Sequence, residues 1–320
     1  MDSRQTSRTN LTWQWFRIAL QIKESVAIAI LPRVLLFIIL SLVVSYGHAI
    51  GYWIKPEVLG NLVGNVACNL VLGLLLVFRT NTAYDRYWEG RRAWGTFTIS
   101  IRNLAREIKV GIKELNPADK LQKEGIFHLL IAFVLVTKQH LRDENDPREI
   151  EPYVTKNEAL QLNNSPHRPL LIITWLSNYL HHQFQNDRFI DPVHLLMMTN
   201  LLNDLVSALT SCERIRNTSV PPAYIIYLKR LLLIYCAALP FFLVSNMGWW
   251  TPVVVGIITF VLFGVEEIGT EIEDPFGHDP NDLPIELICR TVRHNVTEIK
   301  DLDNDYHKLF GAAKYSPDHD

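Results

Sequence analysis

Four stretches of this chain are long, apolar and nearly free of charge, and no other feature restricts its fold so severely. They read VAIAILPRVLLFIILSLVVSY (26–46), VLGNLVGNVACNLVLGLLLVF (58–78), AYIIYLKRLLLIYCAALPFFLV (223–244) and WWTPVVVGIITFVLFGV (249–265). A helix crossing ~30 Å of hydrocarbon needs about 20 residues. The second stretch meets this without a single charge. The fourth is short and borrows from Gly248 or Glu266. Arg33, Lys229 and Arg230 fall within two turns of their helix starts, close enough to snorkel to the interface. One such window is compatible with a buried core helix of a soluble protein; four together point to membrane spans.

Lys and Arg in the flanks orient the spans. Arg4, Arg8, Arg17 and Lys23 precede the first, and Arg79, Arg86, Arg91 and Arg92 follow the second. The loop at 47–57 holds only Lys55, and the link between the third and fourth spans has no cation. Both termini are therefore expected in the cytoplasm. The expected organisation is a cytosolic segment 1–25, spans one and two in 26–78, a cytosolic insert 79–222, spans three and four in 223–265, and a cytosolic segment 266–320. No cleaved signal peptide is read at the N-terminus. A net charge of −2 selects no sign of partner, and no basic patch suggests nucleic acid. Cys68, Cys212, Cys236 and Cys289 form no C-x-x-C pair, which leaves reduced thiols.

The insert reads as helical. Phe97, Ile101, Leu104, Ile108, Ile112 and Leu115 recur at steps of three and four, with Arg102, Arg106, Lys109 and Lys113 on other faces. Leu195, Met198, Leu202, Leu205, Leu209 and Cys212 form a seam for another helix. No strand-rich run and no repeat is visible, so the fold class is all-α.

The second span carries Asn61, Asn65 and Asn69 at spacing four. An amide facing lipid is costly, so this face meets a helix or water. One reading is interhelical contact, helped by the small pair Gly60 and Gly64. The other is a pore wall. Val66, Leu70 and Leu74 make a second stripe, rotated about 100° from the first. A ring of such side chains gates by dewetting. Spacing alone leaves both readings open.

At RTNTAYDRYWEGRRAWG (79–95) the chain resembles the bestrophin family of ion channels, in its bacterial and plant-plastid branch. DPVHLLMMTNLLNDLVSALTSCERIRNTSVPPAYIIYLKR (191–230) and IEDPFGHDPNDLPIE (272–286) agree, in the same order. The resemblance implies a homopentamer in a lipid bilayer, four transmembrane helices per subunit, a helical cytosolic region and one axial pore. It implies a neck at Val66, Leu70 and Leu74, and a cytosolic constriction at Val193, after Asp191 and Pro192. Animal members carry a calcium clasp after an Asn-Pro-Phe-Gly motif. Here Asp279 and Asp282 match that acidic run, interrupted by His278, Pro280 and Asn281. The seven acids of 266–282 equally suit salt bridges to the Arg-rich flank of the second span.

The implied function is passive conduction of inorganic anions, chiefly chloride, with monovalent-cation conduction as the alternative, in a cell or thylakoid membrane. An intramembrane enzyme or a structural scaffold is the rival class. No H-E-x-x-H, G-x-S-x-G or P-loop occurs. His181 and His182 are adjacent and point to different sides of a helix, and His128 and His140 have no evident carboxylate partner.

Overall fold

The computed structural model describes residues 17, 25–51, 63–114, 116–185 and 190–302. Among the described residues every regular element is helical: α1 (Ala27–Ala49), α2 (Val66–Gly111), α3 (Pro117–Arg142), α4 (Lys156–Asn164), α5 (Arg168–Gln185), α6 (Pro192–Asn217), α7 (Pro222–Met247), α8 (Thr251–Glu273) and α9 (Ile285–Asp301), with short helical turns at Pro147–Ile150, Glu151–Tyr153 and Gly248–Trp250. The chain divides into two compact units, one of residues 1–88 and 218–282, the other of 89–217 and 283–320.

The first unit contains α1, the start of α2, α7 and α8. Ile30, Val34, Phe37, Leu72, Leu76, Leu228, Leu232, Leu239, Val255 and Phe263 fill its core. Phe37 and Phe263 stack with ring centroids 5.7 Å apart. α1 and α8 approach closely at Gly256, where a Cβ would stand 3.0 Å from Ile38 Cδ1. The outer surface is as apolar as the core: Ile39, Val43, Leu233, Ile257 and Val261 are all exposed. A soluble protein rarely exposes such contiguous apolar surface, whereas a bilayer solvates it.

Charges at the polar end of these helices are paired. Arg33 Nη1 donates to Glu267 Oε2 at 2.7 Å and lies 3.6 Å from Glu266. Lys229 Nζ stands 3.4 Å from Glu266. Arg33 and Lys229, placed near their helix starts, thus meet the acidic end of α8. Arg79, 2% exposed, pairs with Glu273 at 2.5 Å, and Arg86 Nε donates to the Glu273 carbonyl at 2.9 Å. The salt-bridge reading of the acidic run is realised here.

The second unit is built around α3. Leu130, Ala132, Phe133 and Val136 are fully buried, and Trp94, Phe97 and Phe133 form an edge-to-face series. By length and composition α3 and α6 are also apolar enough to cross a membrane, which the four-window reading did not register. α3 is instead covered by its own unit, and its buried lysines and Gln139 have partners, while Thr137 Oγ1 has none among the described residues. Lys123 Nζ donates to the carbonyls of Lys109 (3.0 Å) and Ile112 (2.6 Å), neutralising the carbonyl end of α2. Lys138 Nζ contacts Glu149 at 2.6 Å and Glu286 at 3.1 Å. Asn116 and Asp119 close a capping box at the start of α3. Phe97, Ile101, Leu104, Ile108 and Ile112 are buried as their spacing requires, as are Met198, Leu202, Leu205, Leu209 and Cys212. Leu115 lies outside the described residues.

Candidate functional site

α2 decides the site. At 46 residues it is roughly 70 Å long, more than twice the hydrocarbon thickness. No proline or glycine pair stops it where the apolar run gives way to Arg79, so one helix supplies residues to both units.

Its first turns, residues 66–71, are exposed on all sides, and the helix enters the core only from Leu72 onward. Leu72 and Leu76 are each 6% exposed, inside the first unit's core. Val66, Leu70 and Leu74, on the other side, are 79%, 62% and 46% exposed. The stripe read from the sequence is therefore an aliphatic face that the described residues of its own unit leave largely open, as they do Val71, Val77 and Phe78. At 3.6 residues per turn the same face continues through Asn81 and Asp85, which are also exposed. The sequence reading stopped at Leu74. Extending the period across the polarity change finds these two.

The asparagines behave differently from a single stripe. The chain leaves helical geometry at Asn65, and α2 begins at Val66. Asn65 Oδ1 accepts the Ala67 N–H at 2.8 Å and acts as the helix cap. Asn69 Nδ2 donates back across the break to the Val63 carbonyl at 3.0 Å. Both amides thus satisfy backbone groups that the break would orphan, rather than forming a ladder along an unbroken helix. Asn61 lies outside the described residues, as does Gly60. Gly64 does allow close approach: a Cβ there would stand 3.0 Å from the Phe242 ring.

In the second unit, Val193 sits in the first turn of α6 and is 65% exposed. Asp191 caps this helix, accepting the N–H of Val193 at 2.8 Å and of His194 at 3.1 Å. Its other oxygen pairs with His194 Nδ1. That hydrogen bond holds the Asp191 carboxyl below its usual range and raises the His194 imidazole above its own. Val193 is thus flanked by an acid and a base, and His194 was not picked out by sequence reasoning.

Asp279 and Asp282 form a local clamp. Asp282 Oδ2 accepts the Asp279 N–H at 2.7 Å. Gly277 lies against it: a Cβ there would stand 2.7 Å from that oxygen, so the carboxylate would have to shift. Asp282 Oδ1 is buried without a partner, and burial pushes this carboxyl up to about 6. Asn281 ties the loop to Glu271 at 2.6 Å. Calcium takes six to eight oxygens. Among the described residues no third carboxylate or imidazole joins Asp279 and Asp282 at ligand distance. The side chains do not fit a calcium cage, and the two aspartates hold the turn instead. His140, for its part, does have a carboxylate partner, Glu213, at 2.8 Å. The partner lies 73 residues away in sequence, and spacing could not reveal it.

Apolar spanning helices around an uncovered aliphatic stripe, carried by a helix that runs on into a helical polar unit, define a helical integral membrane protein. Sequence comparison makes this specific. The profile of the family described as Bacterial/Fungal Bestrophin protein matches residues 5–298. The chain is 44% identical over 288 residues to a voltage-dependent anion channel-forming protein of Nostoc sp. (strain PCC 7120), covering 90% of this chain and 92% of that one. It is 43% identical over 285 residues to a voltage-dependent anion channel-forming protein of Synechocystis sp. (strain PCC 6803), covering 89% and 91%. A crystal structure of a bacterial bestrophin homologue from Klebsiella pneumoniae superposes with a TM-score of 0.74 at 26% identity, over 86% of this chain and 99% of that one. The chain belongs to the bestrophin family, in its bacterial and fungal branch.

Proposed function

We propose that this chain is the subunit of a homopentameric channel that passes inorganic anions, chloride above all, down their electrochemical gradient. Four helices, α1, the start of α2, α7 and α8, cross the bilayer, with both termini in the cytoplasm and 79–222 and 266–302 on that side. The observation that carries the proposal is the aliphatic face Val66–Leu70–Leu74, turned away from its own core at 79%, 62% and 46% exposure. Five-fold repetition turns it into a neck that water and ions enter only when it is wetted. Val193 forms a second ring, bordered by Asp191 and His194. Relatives named as anion channel-forming proteins support the sign of the ion.

Hydrophobic rings exclude ions of both signs alike, so charge selection falls to the polar groups near them. The His194 imidazolium favours an anion. Asp191 and Asp85 favour a cation, and give the monovalent-cation reading its footing. Purified channels in a planar bilayer under a potassium chloride gradient separate the two. An anion channel reverses near the chloride equilibrium potential, and a cation channel near that of potassium. A protein that gives no unitary current at all is not a channel.

A further inference from the structure

Three elements of the second unit meet at one carboxylate. His140 lies in the last turn of α3, His167 immediately precedes α5, and Glu213 is near the end of α6. The Nε2 atoms of both imidazoles stand 2.8 Å from the same oxygen, Glu213 Oε1. The two rings lie side by side, with centroids 4.9 Å apart and planes tilted by 32°. One ligand atom from each residue falls within 4.8 Å of the other two. Two imidazoles and a carboxylate are a donor set for a borderline transition metal rather than for calcium or magnesium.

We propose that His140, His167 and Glu213 form a binding site for a divalent transition metal, zinc in the first instance, with its fourth position open to water. Zn–N and Zn–O bonds of about 2.0–2.2 Å place tetrahedral ligand atoms roughly 3.3 Å apart. Each imidazole need only withdraw from the carboxylate oxygen by about half an ångström to admit the ion. All three side chains are partly exposed, so the ion has an entry path and a solvent-facing coordination position.

The frame around them is fixed. Arg216, one turn beyond Glu213, donates Nη1 to the His140 carbonyl at 2.6 Å and pairs with Asp143. Arg168, next to His167, donates to Asn145 Oδ1 and to the Glu144 carbonyl, each at 2.8 Å. The ends of α3 and α6 and the start of α5 are thereby held in register whether or not an ion is bound, as a preorganised site requires. Without metal, His167 Nδ1 accepts the Leu170 N–H at 3.3 Å, so its Nε2 carries the hydrogen given to Glu213. Metal takes the place of that hydrogen, the ring hydrogen moves to Nδ1, and the long Leu170 contact is given up. Only a cation with strong imidazole affinity compensates this exchange, which again selects zinc over calcium.

The site is independent of ion conduction, and its test uses no current. Full-length protein in mild detergent is stripped with a chelator and titrated with zinc by calorimetry. Cobalt(II) is added in parallel, and its visible absorption is recorded. The expected result is one zinc per chain, together with the intense bands of four- or five-coordinate cobalt. Affinity falls at least tenfold in His167→Gln and in Glu213→Gln, and is unchanged in the control His181→Ala/His182→Ala. Zinc uptake in His140→Ala/His167→Gln equal to that of the wild type overturns the proposal. So does a weak octahedral cobalt spectrum in the wild type, a result that needs no variant to fold.

Discussion

Truncating Leu70 and truncating Leu76 remove the same atoms from different faces of one helix, about 120° apart, and the two changes should have opposite consequences. Leu→Ala shortens the side chain by two C–C bonds, or about 2.5 Å of reach. If five copies of Leu70 face a common lumen, the opening there widens by about 5 Å, well above the ~2.8 Å diameter of a water molecule. A constriction that gates by dewetting then stays wet. Leu70 is 62% exposed within its own unit, so its loss leaves that unit's packing intact. Leu76, 6% exposed, sits against the core; its truncation leaves a cavity and costs about 2–5 kcal/mol. Single-channel recording and thermal unfolding in the same detergent read the two effects. Leu70→Ala should raise open probability or conductance and leave the unfolding temperature nearly unchanged. Leu76→Ala should lower the unfolding temperature and leave unitary conductance at its original value. The reverse pattern, or unchanged currents in both Leu70→Ala and Leu74→Ala, refutes the assignment of faces.

Four further outcomes follow. Val193→Ala should change relative permeability among anions more than it changes gating, measured as shifts in bi-ionic reversal potential. Because the hydrogen bond to Asp191 raises the His194 pKa, the imidazolium persists to higher pH than an ordinary histidine and is lost as pH rises through its folded value, leaving Asp191 alone beside Val193. Anion permeability should therefore fall on alkalinisation, and His194→Ala should flatten that profile. The Asp282 carboxyl is raised to about 6, so its contribution to stability is greatest when protonated and declines as pH climbs from about 4 through 6; Asp282→Asn should raise the unfolding temperature at pH 8 relative to wild type and remove this part of the pH dependence. Glu273→Gln leaves the Arg79 guanidinium buried without its counter-charge, and should destabilise the protein by about 3–5 kcal/mol in thermal or denaturant unfolding.

The apolar helices α1, α7 and α8, the continuation of α2 past Arg79 and the exposed stripe Val66–Leu70–Leu74 were legible because each is a one-dimensional pattern: hydropathy, the absence of a stop signal, and a 3.6-residue period. The seams at 97–112 and 198–212 were legible for the same reason. What was not legible depends on tertiary context. The run around Leu130 looks like a span, and only its burial within a soluble-type unit makes it a core helix. Three asparagines at spacing four look like one stripe, yet the helix breaks at Asn65, and the Asn65 and Asn69 amides are spent on its repair. The meeting of His140, His167 and Glu213 joins three segments that no local spacing connects. The acidic run of 266–282 had two readings in sequence, a calcium site interrupted by His278, Pro280 and Asn281, and salt bridges to the Arg-rich flank. The pairing of Glu266, Glu267 and Glu273 with Arg33, Lys229 and Arg79 supports the salt-bridge one.

The central claim is that the Val66–Leu70–Leu74 face lines a water-filled conduit rather than meeting lipid. Cysteine accessibility tests it most directly. In a Cys68→Ser background, Leu70→Cys and Ile257→Cys are each exposed to a charged, water-soluble thiol reagent while current is recorded. The account predicts rapid modification of Leu70→Cys with a large change in current, and no reaction at Ile257→Cys, which faces the bilayer. An unreactive Leu70→Cys, or modification there without any effect on current, contradicts it.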